Sequence, residues 1–106
     1  MGLDIPAAHG TAILASGGGR VVSAGYRGPY GKAIVIDHGH GTQTLYGHCS
    51  VLYVRAGDLV LPRQKIAAVG STGRSTGPHL HFEVIRSGKR IEPGQVLADV
   101  LARNPN

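Results

Sequence analysis

The sequence predicts an all-β fold: a single compact domain with an antiparallel β-sheet core and little or no helix. Short β-branched runs recur along the chain at regular intervals, each bounded by Gly or Pro. The 17 glycines among 106 residues follow no Gly-X-Y period, so they indicate many tight turns between short elements. Both observations favour consecutive antiparallel strands over an alternation of strands and helices.

Six runs are predicted as strands, and one short segment near the end has helical spacing. The runs span residues 11–15, 19–24, 33–37, 42–46, 65–69 and 80–85. Turn signals such as Gly39-His40-Gly41 separate them. The helical pattern is carried by Val96, Leu97, Val100 and Leu101, and it ends before Asn104-Pro105. We expect one or two helical turns there.

Length and composition predict one globular domain. A chain of 106 residues is long enough for one compact unit and too short for two, and no linker interrupts it, so the domain is assigned to residues 1–106 with 94–106 as a C-terminal tail. No apolar run approaches the roughly 20 residues of a membrane span. The first residues lack the charged and apolar regions of a signal peptide. Cys49 is the single cysteine, which excludes an intramolecular disulfide.

The net charge of +5 suits a polyanionic partner such as nucleic acid, anionic lipid or bacterial cell wall. The basic residues are scattered singly, without the runs and interleaved aromatic side chains of a nucleic-acid surface. We therefore expect no nucleic-acid partner. A solvated basic face is sufficient to explain the charge.

Candidate chemistry is concentrated in the histidines. Along segment 77–84, strict alternation puts His79, His81 and Glu83 on one face of a strand and the apolar residues Leu80, Phe82 and Val84 on the other. Imidazoles two residues apart stand about 6–7 Å from each other. One can then bind a metal ion while the other touches water or substrate, as a hydrolytic zinc site requires. The alternative is a pair of histidines on a solvated face.

Three further features indicate a functional site only when they are considered together with His79 and His81. His48, at the end of a predicted strand, is by itself more typical of a surface or hydrogen-bonded histidine. Asp4 could supply an oxygen ligand, although an aspartate near a terminus is usually a cap or turn residue. Segment 70–77 is rich in Gly, Ser and Thr but lacks the Gly-Lys-Ser/Thr end of a phosphate loop. We interpret it as a turn that positions His79.

These segments resemble, in order along the chain, the motifs of the lysostaphin and LytM type of zinc metallopeptidase, which cleaves peptidoglycan. The motifs are Gly-Leu-Asp-Ile at 2–5, Tyr-Gly-His-Cys-Ser at 46–50, and the run from Gly70 through His79-Leu80-His81-Phe82-Glu83 to Val84. The resemblance covers about the first 90 residues. It implies an antiparallel β core with a substrate groove.

The resemblance also implies a mechanism. One Zn²⁺ is expected at the floor of the groove, bound by a histidine, by an aspartate four residues later, and by the second histidine of the His-x-His pair. Asp4 and His81 match the last two ligands. His48 and His79 match two histidines that flank the attacking water as general base and transition-state stabilisers. The expected reaction is hydrolysis of peptide cross-links, at glycyl-glycine bridges or at D-amino-acid stems.

The family's first ligand would fall one position before Met1, so two protein ligands remain where catalytic zinc usually has three. We therefore expect impaired zinc binding and activity in the chain as written. His9 follows Asp4 by five residues, where the family has no ligand. His38 and His40 are expected to make structural hydrogen bonds. Arg63 stands where these domains commonly turn on Gly.

Three functional hypotheses remain open. The first is a fragment or mis-started version of an active zinc endopeptidase, favoured by the presence of Asp4, His48, His79 and His81. The second is an inactive LytM-like domain that binds cell wall or activates a partner amidase. The third is a non-enzymatic β module whose charge reflects contact with the wall. The substrate that the resemblance implies predicts a cell-envelope location, periplasmic or secreted.

Overall fold

The computed structural model describes residues 2–92 and 100–101. These residues form nine β-strands and a three-residue 3-10 helix at Gly28–Tyr30, without an α-helix, which confirms the predicted all-β class. No helix in this part of the chain has the length and apolar character needed to cross a bilayer. The strands are β1 (Leu3–Pro6), β2 (Ala12–Leu14), β3 (Gly19–Tyr26), β4 (Lys32–Gly39), β5 (Thr42–Leu52), β6 (Leu59–Val60), β7 (Lys65–Val69), β8 (His79–Arg86) and β9 (Lys89–Ile91).

The strands form one antiparallel sheet in which β5 occupies the central position. The main order is β1-β8-β5-β4-β3-β6, with β9 paired to β8, and with β7 paired to both β5 and β2. The first half of β5 pairs with β8 as far as Gly47 opposite His81, and its second half pairs with β7 from Cys49 opposite Val69. The 11-residue β5 therefore changes partners at residue 48 and joins the two parts of the sheet.

All six predicted strands are present, although β5 continues past the predicted end at Tyr46 to Leu52. Three strands were missed: β1, β6 and β9 have four, two and three residues. Segments this short contain too few alternating positions for a pattern to be recognised. Arg63 has φ 64°, which explains why glycine suits that position in similar domains.

The predicted C-terminal helical pattern is only partly covered by the structure. Val96 and Leu97 lie outside the described residues, as does most of the 94–106 tail. At Val100 and Leu101 the prediction is wrong: Leu101 forms an isolated antiparallel bridge with Ile13, and the Val100 carbonyl accepts a hydrogen bond from Leu14 N. Val100 is buried in the core. These two residues extend the packing of β2.

The hydrophobic core fixes β8 in place. Leu80, Phe82 and Val84 are fully buried, and the ring of Phe82 lies 5.4 Å from that of Tyr46, centroid to centroid. Burying an apolar side chain of this size stabilises the fold by about 1.5–3 kcal/mol. Because three alternate residues of β8 are anchored in this way, the residues between them have defined positions on the opposite face.

A chain of buried and partly buried hydrogen bonds crosses the sheet beside the core. The Tyr46 hydroxyl accepts hydrogen bonds from the Ser16 backbone N–H at 3.0 Å and from Thr44 Oγ1 at 2.8 Å. The His38 ring bridges Thr44 Oγ1 at 2.7 Å and the Gly18 carbonyl at 2.8 Å, which confirms the structural role predicted for His38. Burial raises the pKa of Tyr46. Every buried side-chain nitrogen or oxygen of the described residues has a hydrogen-bond partner.

Replacing Tyr46 with Phe tests this network, because the ring is kept and the hydroxyl is lost. Thr44 and the Ser16 backbone N–H would lose their shared partner, so we expect the free energy of unfolding to fall by about 1–3 kcal/mol. Tyr53, which is 51% exposed, provides the matched control: Tyr53→Phe should change stability by less than about 0.5 kcal/mol. Urea denaturation measures both. Equal stability of the two variants would contradict the assigned network.

Candidate active site

The four residues predicted to form the site lie together on three adjacent strands or their ends. Asp4 on β1 stands opposite His81 on β8, and β5 lies on the other side of β8. Asp4 Oδ1 is 2.6 Å from His81 Nδ1 and 3.6 Å from His79 Nε2. The ring centroid of His48 lies 4.7 Å from that of His79 and 5.9 Å from that of His81. The structure therefore brings Asp4, His48, His79 and His81 into one cluster.

The alternation predicted for β8 is present. His79 and His81 are half-buried on the face of the sheet opposite the core, with side chains 20% and 19% exposed. Glu83 lies on their face, because its Oε2 is 2.8 Å from His81 Nε2. It is buried, however, with 3% exposure. One face of the strand thus packs the core while the other presents two imidazoles and a buried carboxylate.

His48 occupies the position at which β5 changes partners, and its backbone is strained there. Its φ is 61°, in the left-handed region that costs a non-glycine residue about 1–2 kcal/mol. The pairing between β4 and β5 also shifts register between Lys32 and Ile34, as at a β-bulge. Bulges commonly redirect a side chain. Here the irregularity turns His48 toward His79 and His81.

Backbone carbonyls fix the orientation of His48 and His79. His48 Nδ1 lies 2.7 Å from the Thr72 carbonyl, and His79 Nδ1 lies 2.9 Å from the Gly77 carbonyl. A carbonyl only accepts, so each Nδ1 must donate its proton. In the neutral ring Nε2 then has a free lone pair. Because both carbonyls belong to segment 70–77, the predicted role of this turn in positioning His79 is confirmed and extends to His48.

Segment 70–77 is attached to the sheet by hydrogen bonds of the Thr72 side chain. Thr72 Oγ1 donates to the Cys49 carbonyl at 2.6 Å and accepts from Lys32 N at 3.0 Å. Gly31, at φ 66°, allows this approach, since a Cβ there would lie 2.4 Å from the carbonyl carbon of Thr72. The carbonyl that orients His48 is therefore held from several directions.

Local electrostatics favour an ionised aspartate beside a neutral histidine. Burial lowers the pKa of His48, which is 6% exposed. The hydrogen bond from His81 lowers the pKa of Asp4, and the nearby His81, His79 and His48 lower it further against a smaller opposing effect of burial. Near neutral pH the cluster therefore combines a carboxylate with a histidine able to accept a proton.

Glu83, Tyr30 and Arg90 form a hydrogen-bonded group beside His81. Sequence alternation placed Glu83 on this face, but no role was predicted for any of the three. Burial alone would raise the pKa of Glu83, but hydrogen bonds from His81, Tyr30 and Arg90 together lower it. Tyr30 Oη donates to Glu83 Oε2 at 2.8 Å, and Arg90 Nε donates to Oε1 at 2.7 Å. Alternation along β8 was the available signal for Glu83. No sequence pattern pointed to Arg90, which reaches Glu83 through the pairing of β8 with β9.

Asp4 and His81 carry donor atoms of the kinds that zinc binds, but they are two residues where catalytic zinc usually has three protein ligands. Imidazole nitrogen and carboxylate oxygen are standard zinc ligands. Their 2.6 Å separation is that of a hydrogen bond, whereas two ligands of one tetrahedral zinc lie about 3.3 Å apart. The Asp4 side chain is 64% exposed, so it has space to move. Among residues 2–92 and 100–101, no three His, Cys, Asp or Glu side chains form a group that could hold a metal ion.

The remaining histidines do not extend the site. His9 is exposed in the turn after β1, and His40 is exposed in the turn between β4 and β5. A surface cavity of about 370 Å³ is lined by Gly25, Tyr26, Lys32, Ser50, Val51 and Leu52. None of its lining residues belongs to the four-residue cluster.

The chain belongs to peptidase family M23, whose model matches residues 1–93. The similarity to lysostaphin and LytM-type peptidases predicted from the motifs is thus confirmed. Together with the antiparallel sheet and the Asp-His cluster, this match defines the domain as M23-like in both fold and family.

Relatives include peptidases and an activator. The chain is 43% identical over 95 residues to the DD-carboxypeptidase/endopeptidase Mpg of Neisseria meningitidis, covering 90% of the chain and 22% of Mpg. It is 39% identical over 92 residues to the murein hydrolase activator EnvC of Escherichia coli, covering 87% of the chain and 22% of EnvC. A lipoprotein NlpD/LppB homolog of Pseudomonas aeruginosa is 44% identical over 98 residues, covering 91% and 32%. The chain thus spans a third or less of the length of these relatives.

Solved structures agree. A zinc-containing peptidase from Vibrio cholerae aligns with TM-score 0.82 at 38% identity, over 85% of the chain and 28% of that protein. The catalytic domain of lysostaphin from Staphylococcus simulans aligns with TM-score 0.81 at 34% identity, over 89% of the chain and 75% of the domain. Zinc therefore occurs in at least one structural neighbour of this chain.

The strain at His48 can be measured by comparing glycine and alanine. Both His48→Gly and His48→Ala lose the hydrogen bond to Thr72, but only glycine tolerates φ 61° without a Cβ clash. We expect H48G to be more stable than H48A by about 1 kcal/mol in chemical denaturation. His79, with negative φ, is the control. The His79→Ala variant should be more stable than the His79→Gly variant by about 0.5–1 kcal/mol. The same order at both positions would contradict a strained His48.

Proposed function

We propose that this chain is the peptidase domain of a zinc-dependent endopeptidase that hydrolyses peptide cross-links of bacterial peptidoglycan. In this proposal Asp4 and His81 bind zinc, and His48 and His79 are the catalytic histidines. The observation that carries it is the convergence of these four residues, with ring centroids 4.7–5.9 Å apart and Asp4 in contact with His81. Two imidazoles oriented by hydrogen bonds to backbone carbonyls are not expected for histidines that merely lie on a solvated surface.

Zinc, when bound, would lower the pKa of water to about 7 and polarise the scissile peptide carbonyl. His48 suits the role of general base, because burial favours its neutral form and its Nδ1–H is committed to Thr72, which leaves Nε2 to accept a proton from the attacking water. His79 Nε2 lies 3.6 Å from Asp4 Oδ1. Because Nδ1 of His79 already donates to the Gly77 carbonyl, only the doubly protonated ring would carry a proton on Nε2, and that N–H would be donated toward the negative charge that develops on the substrate oxygen.

A third ligand is part of the proposal, because catalytic zinc usually has three protein ligands. A Cβ on Gly2 would lie 2.6 Å from Cε1 of His81, so the backbone at Gly2 runs directly over this imidazole. A residue two positions before Gly2 is at most about 7 Å away along the chain. A histidine immediately before Met1 is thus within reach of the site. We propose that it completes the ligand set and that activity is impaired without it.

The proposed substrate is consistent with the charge of the chain. A net charge of +5 favours approach to an anionic wall polymer. The scissile bond is a glycyl-glycine bridge or a D-amino-acid stem cross-link, both of which are small and extended. This substrate implies that the domain works in the cell envelope, periplasmic or secreted.

A second candidate function is activation of a partner amidase without hydrolysis. It is favoured by the 39% identity to EnvC, which is named a murein hydrolase activator. Retention of both anchored histidines instead favours the peptidase.

Purified peptidoglycan of both cross-link types provides the test. We expect a chain that carries an added histidine before Met1 to release cross-link fragments, identified by mass spectrometry. His79→Ala in that chain should lower the rate by about 10²–10⁴-fold through loss of proton transfer. His40→Ala is the matched control, since His40 is an exposed turn residue, and it should leave the rate unchanged.

The result separates the two candidates. Release of fragments that depends on His79 supports the peptidase, and the fragment masses identify the bond. If the extended chain releases no fragments but increases hydrolysis by an added amidase, the peptidase proposal is wrong and activation replaces it.

A further inference from the structure

Glu83 is the most deeply buried charged group near the site, yet the proposed mechanism gives it no role. It is 3% exposed in the middle of β8. Burying a carboxylate is costly unless the charge is paired and hydrogen-bonded. An apolar residue at this position would pack without that cost, so the retained charge calls for an explanation beyond stability.

The geometry around His81 explains why a carboxylate is buried at position 83. His81 Nε2 lies 2.8 Å from Glu83 Oε2, while Nδ1 lies 2.6 Å from Asp4 Oδ1. An ionised carboxylate only accepts hydrogen bonds. By this rule the contact to Glu83 requires a proton on Nε2 and the contact to Asp4 requires one on Nδ1. A metal ion beside Asp4 would replace the proton on Nδ1 and leave the proton on Nε2. Of the two ring nitrogens, Nδ1 is the one that faces another candidate ligand.

Glu83 is held rigidly enough to impose this choice. Arg90 Nε donates to Oε1 at 2.7 Å and Tyr30 Oη donates to Oε2 at 2.8 Å, so both carboxylate oxygens are fixed. Gly2 covers the contact from the other side, since a Cβ there would lie 2.7 Å from His81 Nε2 and 2.9 Å from Glu83 Cγ. Asp4, by contrast, is 64% exposed on an edge strand. The buried and multiply hydrogen-bonded partner of His81 is Glu83, and the exposed one is Asp4.

We propose that Glu83 is a positioning residue that keeps a proton on Nε2 of His81 and thereby leaves Nδ1 as the nitrogen that binds a metal ion beside Asp4. A carboxylate behind a metal-binding imidazole fixes its tautomer and orientation and raises its basicity as a ligand. Arg90 and Tyr30 act one step further out, by holding the carboxylate. The inference rests on the proposed function for the identity of the ligand His81, but the proton on Nε2 can be located without metal.

The first test is metal-free. In the Asp4→Ala chain the competing acceptor at Nδ1 is removed, and ¹⁵N NMR of the neutral histidine rings should show the His81 proton on Nε2. Adding Glu83→Leu should abolish that preference, and adding Glu83→Gln should retain it, because the amide oxygen still accepts. A proton on Nδ1 while Glu83 is intact would overturn the proposal, and this measurement needs no Glu83 variant to fold.

The second test is zinc affinity, measured by chelator competition on the chain with a histidine before Met1. Glu83→Leu should weaken zinc binding by about 10–100-fold and Glu83→Gln by less than about tenfold. Tyr46→Phe is the control for a merely structural effect: it should lower stability through the loss of the hydrogen bonds with Ser16 and Thr44 without touching His81 or Glu83, so it should keep both the tautomer and the zinc affinity.

The outcomes separate the two proposals. If Glu83→Leu binds zinc as tightly as Tyr46→Phe, the positioning role is wrong even though the zinc site stands. If the parent chain with the added histidine binds no zinc, the proposed function fails, and the tautomer measured without metal still decides the role of Glu83.

Discussion

The arrangement of the site depends on the register between β1 and β8. Asp4 and His81 are far apart in sequence, and antiparallel pairing places them directly opposite each other. A slip of one residue would turn the side chains of β1 to the other face of the sheet, which would separate the carboxylate from both imidazoles. Leu3 opposite Phe82 and Ile5 opposite Leu80 oppose such a slip, because Phe82 and Leu80 are anchored in the core.

The side chains of the site on β8 and β5 are also held in place by packing and hydrogen bonds. Alternate residues of β8 are fixed by packing, so the imidazoles between them start from a rigid backbone. Hydrogen bonds to two backbone carbonyls of segment 70–77 fix the ring orientations of His48 and His79. The hydrogen bond to Glu83 fixes the ring of His81. Strain concentrates at His48, where β5 changes partners. Strained backbone of this kind persists where the surrounding structure over-determines it, often at functional sites.

Much of this could be predicted from sequence because the relevant signals are local. Strand β8 shows strict alternation over 79–84, and glycine-bounded β-branched runs identified six strands. The short strands β1, β6 and β9 carry no such signal, and they exist because longer strands offer them an edge. The extension of β5 beyond Tyr46 was missed since Gly47 and the left-handed His48 interrupt its pattern. The contact between Glu83 and Arg90 depends on the β8–β9 turn and on burial, and neither follows from residue spacing. At Val100 and Leu101 the sequence spacing predicted a helix, but packing against β2 gives an extended contact instead.

The central claim is that Asp4 and His81, brought together by β1 and β8, are two ligands of a zinc site. The most direct measurement is the zinc content of the chain with a histidine added before Met1, equilibrated with equimolar zinc and freed of unbound metal, compared with its Asp4→Ala variant. The account predicts about one zinc per chain in the first and a large loss in the second, since two remaining ligands bind zinc weakly. Equal zinc in both chains, or none in either, would contradict it.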